Sequence, residues 1–244
     1  MQYPIFDSHF YIGFFVLIWL AYDSYNRYRK SQNISTLYIA CASFSLAISV
    51  FAFGFPALWT RDPKTLSVFT FIGDCTQIAS FLFLWLLSIR AFLGSKPKIM
   101  FVANTVVFTL AIVSMIDAIL RNLTPPYLDT KIVSVSSYAF DITYADSLRY
   151  SILTGLNSLS FFLLSFYFWK QGDAAPNSGQ KIRIRGLAIA FFITSLVFVV
   201  MPAIPYKQLF DIKDGILTII FLIIAISAIF GRFKSNASKS SSTN

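Results

Sequence analysis

The chain has 244 residues, of which 56% are hydrophobic and 18% aromatic, and only 13% are charged. A soluble domain carries about a quarter charged residues, so a soluble protein is excluded and a polytopic membrane protein is expected. The net charge is +9, and its excess gathers at one end of the apolar runs, which points to anionic headgroups and away from nucleic acid.

Crossing a hydrocarbon core of about 30 Å takes about 20 helical residues. Seven apolar runs meet that length, near residues 8–27, 36–58, 66–93, 99–120, 146–170, 184–204 and 214–232. The first has no basic leader and no small-residue cleavage site after it, so it reads as a retained helix. The expected fold class is an all-α integral membrane protein, with a seven-transmembrane-helix bundle over residues 1–232. Residues 233–244, rich in Ser, Lys and Asn, read as a disordered cytoplasmic tail.

Connections rich in Lys and Arg stay on the cytoplasmic side. Loop 1-2 carries Arg27, Arg29 and Lys30; loop 3-4 carries Arg90, Lys96 and Lys98. Loop 5-6 carries Lys170, Lys181, Arg183 and Arg185, and the tail carries Arg232, Lys234 and Lys239. The opposite side holds fewer cations, offset by Asp7, Asp62, Asp129, Asp141, Asp146, Asp211 and Asp214. The N-terminus is therefore expected outside and the C-terminus inside, in the plasma or cytoplasmic membrane.

Between the fourth and fifth helices runs an outer loop, 121–145, opened by Pro125-Pro126. Its stretch from Ile132 to Tyr144 alternates partly and is rich in β-branched and aromatic residues, which favours a short β-hairpin or extended flap. Such a flap would either cover an outer cavity or pack on the helix ends.

An ionisable group inside a span is costly, which makes it a candidate for function. Asp74 lies roughly 10 Å below the outer end of helix 3. Thr70, Asp74 and Gln77 share one helical face through i, i+4, i+7 spacing. Helix 5 offers a matching stripe of Tyr150, Thr154, Asn157 and Ser158. Together the two stripes suggest a polar, ligand-binding cavity in the outer half of the bundle; polar bonding between neighbouring helices is the alternative. Asp117, with Ser114 before it and Arg121 four residues later, is either a second acid of that cavity or half of an i,i+4 ion pair. Asp23 is within reach of Arg27 at the inner end of helix 1. Cys41 and Cys75 read as small apolar side chains.

Enzymatic readings find little to stand on, and no catalytic residue, cofactor or metal is expected. His9 is the only histidine, which removes clustered His/Cys metal sites, paired haem ligands and a Ser-His site deep in the membrane. A microbial opsin needs a lysine in the middle of helix 7, and residues 215–231 contain none. Tyr22-Asp23 and Gly73-Asp74 resemble the aspartate motifs of presenilin-type proteases, but Phe71 stands where that motif needs Gly.

Two functions are carried forward. The plan is similar to the seven-helix sensor modules that precede bacterial histidine kinases and to seven-helix receptors. This resemblance implies a small ligand bound from outside near Asp74 and a signal passed to a cytoplasmic partner or a second copy. The alternative is a small-solute transporter. Basic residues precede helices 2 and 6, and Phe55-Pro56-Ala57 and Met201-Pro202-Ala203 close them, which suggests a 3+1+3 repeat. That plan resembles the SWEET and PQ-loop proteins, although the Pro-Gln signature is missing. A non-catalytic subunit of a membrane complex is the third reading. Below Ser80, helix 3 turns apolar from Phe81 to Leu87, which favours a blind outer pocket over a conduit.

Overall fold

The computed structural model describes residues 8–60, 62–123, 130–135, 140–144, 148–200 and 216–231. Seven α-helices lie among them: α1 (Ser8–Ser31), α2 (Ile34–Gly54), α3 (Pro63–Leu93), α4 (Pro97–Leu123), α5 (Leu148–Asp173), α6 (Ser178–Val200) and α7 (Ile216–Gly231). Three stretches, Ile34–Gly54, Lys64–Leu93 and Pro97–Leu120, are long and apolar enough to cross a membrane. Strands β1 (Thr130–Val135) and β2 (Phe140–Tyr144) pair antiparallel, with Ile132 opposite Ile142 and an irregularity before Ser134. The tail at 233–244 lies outside the described residues.

Contacts divide the chain into two compact units, Met1–Leu148 and Arg149–Asn244. In the first, α2 packs between α1 and α3, and α4 packs on α3. The buried face of α2 is built almost wholly from small residues: Ala40, Ala42, Ser43, Ala47, Ser49, Ala52 and Gly54. Small side chains let helix backbones approach closely where lipid supplies no hydrophobic drive for association. Gly54 takes Phe10 of α1 against its bare Cα: a Cβ there would lie 2.6 Å from the Cβ of Phe10.

Local chemistry fixes the helix ends. α1 stops at Gln32, whose φ of 53° is left-handed and whose N–H donates to the Tyr28 carbonyl at 2.7 Å. Asn33 then caps α2 by accepting from the Ser35 N–H at 3.0 Å. The apolar run had placed the end of helix 2 at 58, but α2 ends at Gly54, and Phe55–Leu58 forms one 3-10 turn. Pro56 is the reason, because it has no N–H to give to the carbonyl one turn back. Asp62 caps α3 and Pro63 fills its first position, where a missing N–H costs nothing.

Only Gly94, Ser95 and Lys96 separate α3 from α4, so the two run as an antiparallel hairpin. Large apolar side chains cover the outer face of α4: Phe101, Val102 and Ile112 are 72%, 60% and 59% exposed, as suits contact with lipid.

The second unit is held by both rings and hydroxyls. Phe191 of α6 stacks between Phe161 and Phe168 of α5, at 5.8 and 5.6 Å. α7 meets α6 where Gly186 faces Ser227 and Gly231 faces the stem of Arg183, contacts that leave no room for a Cβ on either glycine. α6 starts at Ser178, with Asn177 accepting from the Gln180 N–H at 2.8 Å. Lys181, Arg183 and Arg185 therefore sit on a helix instead of the loop expected from sequence. Arg27, Arg29 and Lys30 likewise end α1.

Candidate functional site

Asp74 is the centre of the candidate site. It is 6% exposed on α3, inside a stretch apolar enough to span a membrane. Its face also carries Ser67 and Thr70, both buried, and Gln77, half-buried. The helical spacing thus places Thr70, Asp74 and Gln77 on one inward side.

Their chemistry differs. The Thr70 hydroxyl donates back to the Leu66 carbonyl at 2.9 Å, so its proton is committed to its own helix. Thr76 does the same toward Ile72 at 2.8 Å and Gly73 at 3.1 Å. Among these three side chains, the carboxylate and the amide of Gln77 are the groups with most capacity for further partners.

Gly73 shapes the wall beside the acid. The Phe53 ring of α2 lies against it, so that a Cβ on Gly73 would stand 2.7 Å from Cζ. Sequence reasoning missed this contact, whose only local signal is a glycine next to a membrane aspartate.

Asp117 is half-buried on α4, between buried Ser114 and fully buried Ala118. Counting from the α3–α4 turn, Asp74 stands roughly 29 Å up α3 and Asp117 roughly 30 Å up α4, so packing of the hairpin brings the two acids to one level. The side chain of Arg121, the expected partner of Asp117, lies outside the described residues. Asp23 does pair as expected, accepting from Arg27 Nε at 3.0 Å.

Tyr150, Thr154 and Asn157 fall on α5, but their side chains lie outside the described residues. They also belong to the second compact unit, whereas Thr70, Asp74, Gln77 and Asp117 belong to the first. Ser158, the last residue of that stripe, is committed elsewhere: its hydroxyl donates to the Ser195 carbonyl on α6 at 3.0 Å and lies 3.2 Å from the Ser195 hydroxyl. It ties α5 to α6 inside a buried contact.

Among the described residues, no group of three or more His, Cys, Asp or Glu side chains is placed to hold a metal ion. Two buried oxygens not foreseen from sequence are Ser80 Oγ on α3 and Asn104 Oδ1 on α4, which have no hydrogen-bond partner among the described residues. Comparison of the chain with known protein families and with curated proteins finds no match.

Proposed function

We propose that this chain is a seven-helix membrane receptor or sensor, N-terminus outside and C-terminus inside. A small ligand binds it in an outward-facing site around Asp74 and shifts helix packing, and the basic inner ends pass the shift to a partner protein. The observation that carries this reading is the burial of Asp74 inside a membrane-length apolar helix. A carboxylate there is expensive unless it is used, and Gln77 beside it offers both donors and an acceptor. The hairpin of β1 and β2 touches α2 through β2, which suits a flap over the outer end of the first unit.

One observation favours a transporter as the second reading. The chain divides into two compact units, Met1–Leu148 and Arg149–Asn244, and many transporters work by moving one bundle against another.

The experiment is ligand binding by thermal shift, and uptake into proteoliposomes, across one panel of sugars, amines and cations. Binding without uptake supports the receptor. Removing a charged hydrogen-bonding partner costs about 1.5–3 kcal/mol, so Asp74→Asn should weaken binding roughly 10- to 100-fold. Uptake above empty vesicles that is lost in Asp74→Asn would replace the receptor with the transporter. Binding unaltered in Asp74→Asn would remove the site from Asp74 altogether.

A further inference from the structure

We infer that, where α5 ends and α6 begins, Arg185 and Lys181 bind the phosphate of an anionic lipid headgroup beside Trp169. Residues 165–190 hold four cations, Lys170, Lys181, Arg183 and Arg185, against a single acid, Asp173. The geometry sorts these cations. Lys181 and Arg185 stand one turn apart on one face of α6 and share the Asp173 carboxylate, which accepts from Arg185 Nη2 and lies 4.0 Å from Lys181 Nζ. Arg183 leans toward α7, its stem against Gly231. One carboxylate between two cations leaves positive charge unbalanced.

Arg185 is fixed by α5 before any ligand arrives. Its guanidinium lies over the Trp169 ring at 4.9 Å, and Nη2 donates to Asp173. Its Cγ packs on bare Gly172, where a Cβ would stand 2.9 Å from it. Trp169, Gly172 and Asp173 follow i, i+3, i+4 spacing, so a single face of α5 makes all three contacts. A side chain held this way has already given up rotamer freedom that binding would otherwise cost. Nε is buried, so an incoming anion meets the terminal nitrogens, and a guanidinium edge matches two phosphate oxygens at once.

Position favours a lipid as the source of the phosphate. Next to the charges, the surfaces of α5 and α6 turn apolar: Phe162, Phe166, Ile189 and Phe192 are all exposed, as suits hydrocarbon. Trp169, also exposed, stands at the boundary, where amphipathic rings settle at headgroup level. The start of α6 adds a second reason. Its first turn holds Lys181 and no acid, which sets a cation against the positive end of the helix dipole. A bound phosphate relieves that repulsion and balances the charge left over from Asp173. The inference does not depend on what binds at Asp74.

The test is native mass spectrometry of the full chain in detergent, titrated with phosphatidylglycerol and, separately, with phosphatidylcholine. Phosphatidylglycerol should bind several-fold more tightly, and equal binding of the two would overturn the inference. A cation at such a surface is worth about a factor of five, so Lys181→Gln should weaken phosphatidylglycerol about fivefold. Arg185→Lys keeps the charge and loses the planar fork, and should also weaken it several-fold. Lys98→Gln removes an equal charge from the exposed start of α4 and should change it little. Losses of the same size in Lys98→Gln and Lys181→Gln would overturn the site in favour of diffuse attraction. Displacement of the lipid by glycerol 3-phosphate at comparable concentration would make the ligand a soluble phosphate and overturn the lipid assignment.

Discussion

The ring of Phe53 occupies the place where a side chain on Gly73 would have to be, with Cζ 2.7 Å from a Cβ built there. Through this contact α2 presses directly on the turn of α3 that carries Asp74. Gly73→Ala should therefore push Phe53 aside, at a cost of about 1–3 kcal/mol typical of an overpacked site. Denaturation in mild detergent would read the stability. If Asp74 binds the ligand, affinity should fall in the same variant; unchanged stability would mean that Phe53 moves freely.

Gln32 holds a left-handed φ of 53° at the end of α1. Side chains other than glycine pay roughly 1 kcal/mol or more for that conformation. Gln32→Gly should stabilise the protein by up to about 1 kcal/mol, less whatever glycine gains in unfolded-state freedom. A loss of stability would show that the Gln32 amide, which donates to the Arg29 carbonyl at 3.2 Å, matters more than the backbone.

Asp62 links stability to pH outside the membrane spans. The Thr65 hydroxyl and then the Thr65 N–H donate to its carboxylate and hold its pKa below the ordinary 3.8. A carboxyl lowered on folding stabilises the fold fully above its unfolded value, and the contribution fades as pH falls through the lower folded value. The Tm difference between wild type and Asp62→Asn should thus be largest near neutral pH and shrink below pH 3.8. A difference that does not vary with pH would remove the charge from the cap.

Two substitutions in the second unit separate buried from exposed polar contacts. Ser158→Ala removes the buried bond to Ser195 and should cost about 0.6–1.7 kcal/mol, the range for hydrogen bonds between membrane helices. Asp173 accepts from Arg185 Nη2 with side chains 52% and 36% exposed. Asp173→Asn should cost less than about 1 kcal/mol and less still in high salt. Chemical denaturation at two salt concentrations would distinguish them, and an Asp173→Asn effect larger than that of Ser158→Ala would reverse the order.

Much of the local structure was legible in the sequence. Each of the seven apolar runs overlaps a helix, because sustained hydrophobicity at this length has few other solutions in a membrane. Asn33, Asp62 and Pro63 mark starts that cap chemistry alone could place. The end of α2 was misjudged by four residues because hydropathy does not register the missing N–H of Pro56. The start of α6 was placed late because Lys181, Arg183 and Arg185 lower hydropathy without opposing a helix.

What the sequence by itself determined is the alphabet of the site: an aspartate in an apolar span, with Thr70 and Gln77 on its helical face through the 3.6-residue repeat. Tertiary structure decided what those residues can do. Packing of α2 set Phe53 on Gly73, and the α3–α4 hairpin raised Asp117 to the level of Asp74. The Ser158 hydroxyl was assigned to Ser195, and the Ser80 and Asn104 oxygens were buried without a hydrogen-bond partner among the described residues. Periodicity fixes which side of a helix a residue occupies, whereas its partner depends on the helix that arrives there, and that is settled by close packing across elements far apart in the chain.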